Sequence, residues 1–108
     1  MDPNIDTYQA WMAAKPHPQA EGLPHLALLG LNLGGEAGEA IELIKKHLRD
    51  GTPIDLPHLL LELGDLMIII SSLATHYGVS MSTILELSQQ KIEGRIARGT
   101  LRGSGDDR

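Results

Sequence analysis

Between Leu59 and Ile70 the chain reads LLLELGDLMIII, and no other stretch limits the possible fold as much. Every position except Glu62, Gly64 and Asp65 is apolar, so a helix built on it has no evident solvated side. The flanks indicate a helix: Pro57 stands where a first turn accepts proline, and Gly78 stands where a helix end accepts glycine. No segment shows the period-two alternation of a half-buried strand. Leu59 to Ala74 is the longest apolar run, but it has sixteen residues and two carboxylates, short and charged for a membrane span. Other helices must therefore cover it. A chain of 108 residues has few to spare, so an all-α antiparallel bundle of about four helices, completed by oligomerisation, is expected.

Proline and glycine set the other boundaries. The first helix is expected from about Ile5 to Ala14, capped by Asn4 or Asp6 and stopped by Lys15-Pro16-His17-Pro18. The second is expected from about Pro24 to Arg49, with Leu26, Leu29, Leu33, Ala37, Ala40, Ile44 and Leu48 as its apolar stripe. Lys45, Lys46, His47 and Arg49 near its end suit the helix dipole, and Asp50-Gly51 ends it. The third runs from about Leu56 to His76, and the fourth from about Met81 to Arg98 behind Ser80 as N-cap. Residues 1–98 then form one domain, and 99–108 a flexible, glycine-rich basic tail.

Composition removes several classes of function. Nine basic and fourteen acidic residues give a net charge of -5, unsuited to coating a nucleic acid polymer. The absence of cysteine excludes disulfides, zinc ribbons and thiol nucleophiles. MDPNIDTYQAW has neither the basic nor the apolar part of a signal peptide, so a cytoplasmic protein that does not engage a membrane is expected.

The chemistry gathers in two acidic pairs, Glu36-Ala-Gly-Glu39 and Glu62-Leu-Gly-Asp65. Spacing i, i+3 puts both carboxylates of a pair on one helix face. The twenty-two residues between Glu39 and Glu62 suffice to end one helix and return another antiparallel, bringing the four together. Glu36 falls on the apolar stripe, and Glu62 and Asp65 lie in the apolar helix, so burial is expected for all three, whereas Glu42 points away. Several buried carboxylates repel one another and take up protons unless a cation compensates. All four are hard oxygen donors and neither pair is Glu-x-x-His, which selects Mg²⁺, with Mn²⁺ as substitute, over iron or zinc. Magnesium held by carboxylates usually shares its shell with phosphate, so phosphate chemistry is expected. Gly38 and Gly64, inside these pairs, read as places where helix backbones approach closely.

These residues resemble the MazG-like all-α nucleoside triphosphate pyrophosphohydrolases, in particular the short single-domain forms of phages and bacteria. Glu36, Glu39, Glu62 and Asp65 match the family pattern E-x-x-E, spacer, E-x-x-D. LGLNLGGEAGEAIELIKKHLRDG and LLLELGDLMIIISSLATHYGVS are similar to its second and third helices, IDTYQAW to its opening helix and KIEGRIARG to its basic closing helix. The resemblance implies hydrolysis of a nucleoside triphosphate between the α and β phosphates, two or more Mg²⁺ ions on the four carboxylates, and a homodimer or a tetramer built as a dimer of dimers. Two positions depart from the family: Ile69 stands where an aromatic is frequent, and the closing helix offers Gln89, Gly94 or Arg95 where asparagine is frequent. Both bear on sugar and base recognition rather than on the metal.

Roles follow as expectations. The four carboxylates hold metal and serve catalysis, with Glu39 as general base for a water that attacks the α phosphorus. Lys46, together with Lys91, Arg95 and Arg98 along the fourth helix, meets the phosphates; five of the nine basic residues lie in the last eighteen positions. Tyr8 and Trp11, on one face of the first helix, and His25 are the base-contacting candidates, while His17, His47, His58 and His76 show no ligand spacing. Two rivals remain at this level: a non-catalytic helical interaction module with structural acids, and the same metal site acting on another diphosphate-containing metabolite.

Overall fold

The computed structural model describes residues 4–16 and 24–105, which contain four helices: α1 (Ile5–Ala13), α2 (His25–Asp50), α3 (Leu56–His76) and α4 (Met81–Arg98). His17, Pro18 and the rest of 17–23 lie outside the described residues, as do 1–3 and 106–108. The boundaries follow the local chemistry. Asn4 caps α1 by accepting from the Asp6 and Thr7 amides, Asp55 caps α3 through the His58 amide, and Ser80 caps α4 through the Thr83 amide. Gly51, Gly78 and Gly99 leave α2, α3 and α4 at φ of 66°, 69° and 71°, a left-handed conformation that costs glycine no steric penalty. The imidazole of His47 binds the Thr52 carbonyl and so ties the end of α2 to the following turn.

Helices α2 and α3 pack antiparallel along most of their length, α1 lies across α3, and α4 packs chiefly on α1. The fully buried apolar set is small: Leu29 and Ala40 on α2, Ile69 and Ala74 on α3, and Met81 at the start of α4. One side chain joins α1 to the α3–α4 corner. Gln9 donates from Nε2 to the Val79 carbonyl (2.9 Å) and Thr75 Oγ1 (3.2 Å), and accepts from the Met81 amide (2.8 Å). Asp6 adds a cap to α4 by accepting from the Ser82 amide at 3.0 Å.

Two expectations need correction. The apolar stripe of α2 is covered only in its middle, with Leu26, Ile44 and Leu48 exposed, and Leu56 at the start of α3 is exposed as well rather than laid over the end of the stripe. Nothing in the chain lies within 4 Å of where a side chain would stand at Gly38 or Gly64, so neither marks a close approach of helices within one chain. Helix α3 has the expected bounds, and its 21 residues are, by length and composition alone and among the described residues, long and apolar enough to cross a membrane. Its Glu62 and Asp65 nonetheless face α2, where they meet the other acids.

Candidate metal centre

The i, i+3 spacing and the antiparallel return of α3 bring the acids together. Glu36 of α2 and Glu62 and Asp65 of α3 each offer a carboxylate oxygen, and these oxygens all lie within 4.8 Å of one another. Glu62 is buried at 8% exposure, and Glu36 and Asp65 are half-buried. Glu39 is exposed and joins from the side, near enough to Glu62 for the two carboxyls to affect each other's proton affinity. One oxygen of Glu36 and one of Glu62, Oε2 in each, are buried with no hydrogen-bond partner.

The protonation states record this crowding. Burial first, then the charges of Glu39, Asp65 and Glu62, push the Glu36 carboxyl up to about 7. Glu39 is raised above its ordinary range, first because a proton on it could be shared with the neighbouring Glu62 and then by the Glu62 charge. Glu62 is held below its ordinary range, against the effect of burial, because Glu39 and Glu36 take up the proton in its place and His58 stands against it. Within the chain alone, Glu36 and Glu39 are thus driven toward the protonated form and Glu62 toward the ionised one. Hard oxygen donors at this separation, two of them with buried unpartnered oxygens, fit a divalent cation, which would replace those protons.

On one side of the acids, Glu39, Glu42, Leu43, Lys46, His58 and Glu62 line a cavity of about 330 Å³. Lys46, one of the phosphate-contact candidates, lines this cavity, while Lys45 pairs with Glu42 at 3.6 Å. His58 donates from Nε2 to Glu62 Oε1 at 3.1 Å. His58 has no histidine partner at ligand spacing; what marks it in the sequence is its place one helical turn before Glu62.

On the other side is α1. Burial first, then the Asp65 charge, raises the Tyr8 hydroxyl above its usual range, which puts Tyr8 within electrostatic reach of that acid. The Tyr8 and Trp11 rings lie 6.0 Å apart, and Trp11, 45% exposed, carries the Lys15 ammonium 4.5 Å from its ring centre. His25 stands further along the α2–α3 seam, lining a small cavity with Ser71, Ser72, Thr75 and His76.

The basic residues of α4 are placed less directly. Lys91 and Arg98 are exposed, whereas Arg95 is only 4% exposed and donates from Nη2 to the Gly105 carbonyl at 3.2 Å. The described part of the C-terminal segment thus returns onto α4, assisted by the Thr100 amide, which donates to the Arg95 carbonyl.

Residues 25–98, which include all four acids, match the family described as the MazG nucleotide pyrophosphohydrolase domain. A protein of Mycobacterium phage L5, called gene 37 protein, is 36% identical over 113 aligned positions that cover 97% of this chain and 99% of its own. No solved structure matches at a significant level. Four helices without a strand among the described residues, two acidic pairs facing each other across α2 and α3, and a family match over more than half the chain agree: this chain belongs to the MazG nucleotide pyrophosphohydrolase family.

Proposed function

We propose that the chain is a Mg²⁺-dependent nucleoside triphosphate pyrophosphohydrolase, releasing the nucleoside monophosphate and pyrophosphate in the clean-up of nucleotide pools. The observation that carries this reading is the cluster of Glu36, Glu62 and Asp65 oxygens within 4.8 Å, formed by residues that repel one another when no cation is bound. When bound, a divalent cation would neutralise phosphate oxygens and acidify a water at this point. Glu36, Glu62 and Asp65 would hold it, and Glu39 completes the set from the exposed edge.

Glu39 is the proposed general base. Its raised proton affinity and its exposure suit a group that must take a proton from water and return it to solvent. The substrate would lie across the acids, its outer phosphates toward Lys46 in the 330 Å³ cavity and its nucleoside toward Tyr8 and Trp11, with His25 deeper in the seam. Lys91, Arg95 and Arg98 are the proposed second source of positive charge, on the helix packed against α1.

The working unit is proposed to be a homodimer or a dimer of dimers. The radius of gyration is 16.9 Å, whereas a compact chain of this length has about 13 Å. The accessible surface of 7699 Å² exceeds the roughly 5,900 Å² typical of an 11.7 kDa monomer by about 1,800 Å². That excess is larger than the about 800 Å² per partner of a standard stable interface. Leu61 at 71% exposure, beside Leu60 and Leu63, lies on the helix with no solvated side, and a second copy would cover it.

A panel of canonical and modified triphosphates with Mg²⁺ or Mn²⁺ tests the activity. Equal yields of monophosphate and pyrophosphate, abolished by chelation, are expected. No product from any nucleotide, with thermal stability indifferent to Mg²⁺, would instead fit an interaction module with structural acids.

A further inference from the structure

Glu62 is held in a way that the family's acidic pairs do not account for. One turn before it on α3, His58 reaches forward and donates from Nε2 to Glu62 Oε1 at 3.1 Å. The same imidazole is braced from behind: its Nδ1 stands 3.8 Å from Asp55 Oδ2, while the other oxygen of Asp55 accepts from the His58 backbone amide at 3.3 Å and caps the helix. The two oxygens of the Glu62 carboxylate therefore have different surroundings. Oε1 is tied to the ring, whereas Oε2 is buried and has no hydrogen-bond partner.

We propose that His58 is a positioning residue for the metal site: its Nε2–H fixes the Glu62 carboxylate on one oxygen and leaves the other aimed at the cation shared with Glu36 and Asp65. The proposal rests on reading the acid cluster as a cation site. A glutamate side chain has three rotatable bonds, and the torsion at its carboxyl end is broad and soft. A hydrogen bond to one oxygen selects among its orientations before the cation arrives, as partners outside a metal's own ligands commonly do. The role needs only a donor at the Nε2 position. Glutamine in place of histidine carries its amide nitrogen at the same distance along the side chain and supplies that donor.

Calorimetric titration of the full chain with Mn²⁺, without nucleotide, tests this. His58→Ala is expected to weaken Mn²⁺ binding about 10- to 100-fold, and His58→Gln to bind within about threefold of the unmodified chain. The His58 side chain is half exposed, so both variants should remain folded without metal, with a cooperative melting transition as the check. Unchanged affinity in His58→Ala, or equal weakening in His58→Ala and His58→Gln, overturns the role of the hydrogen bond. If the unmodified chain binds no Mn²⁺, the cation reading itself falls, and this proposal falls with it.

Discussion

The α2–α3 seam and the α1–α4 contact are held together by opposite means. The seam buries charge: Glu62 is enclosed among other acids, at an energetic cost that protons or a cation must offset. The contact between α1 and α4 is made by neutral and capping hydrogen bonds from Gln9 and Asp6, while Leu85 at 52% and Ile96 at 59% exposure share, with Ile92, one outward face of α4. The seam brings its chemistry together within one chain. Helix α4 leaves that apolar face exposed, and a second copy is the proposed cover.

Four changes would break or sharpen that contrast. The largest effect is expected in the seam: Glu62→Gln or Asp65→Asn should lower Mg²⁺-dependent turnover by more than the about 100-fold that partners outside the ligand set cost, measured as pyrophosphate release. Next, Leu85→Glu combined with Ile96→Glu should dissociate the proposed assembly, which light scattering during gel filtration would report as a fall to monomer mass. Were the mass of the parent already monomeric, the unfinished face of α4 would need another occupant.

Third, Gln9→Ala removes an acceptor from the Met81 amide and donors from Val79 and Thr75. It should cost about 1–3 kcal/mol of stability and speed amide exchange in α4, with Mn²⁺ affinity unchanged. A loss of Mn²⁺ affinity would mean that the two regions are coupled. The smallest effect is on pH dependence. Glu36 titrates at about 7 in the folded chain against an ordinary 4.5, so between those values the folded state holds a proton that the unfolded state has released. The metal-free melting temperature should therefore fall from about pH 5 to about pH 8, and Mn²⁺ should narrow the difference.

The helices were legible because their ends depend on local chemistry: Pro57, Gly78 and Ser80 mark boundaries that backbone sterics and capping dictate without long-range information. The acids were legible for a related reason, since an i, i+3 spacing inside an apolar run leaves two carboxylates no exit to water. Coverage was not legible. Periodicity identified the stripe ending in Ile44 and Leu48 as apolar, but how far α3 extends over it is a property of the packed pair. Arg95 was read from its place in a basic stripe, yet its burial at 4% depends on the C-terminal segment returning to it, which no local pattern encodes. His58 escaped because ligand spacing was sought among histidines, whereas its partner is the acid one turn ahead.

The central claim is that the acids of α2 and α3 direct water to the α phosphorus of a triphosphate. Hydrolysis in water labelled with heavy oxygen, with Mg²⁺ present and products resolved by phosphorus NMR and mass spectrometry, tests it most directly. The label is predicted in the nucleoside monophosphate, with unlabelled pyrophosphate beside it. Label in the pyrophosphate, or release of orthophosphate and nucleoside diphosphate, would contradict it.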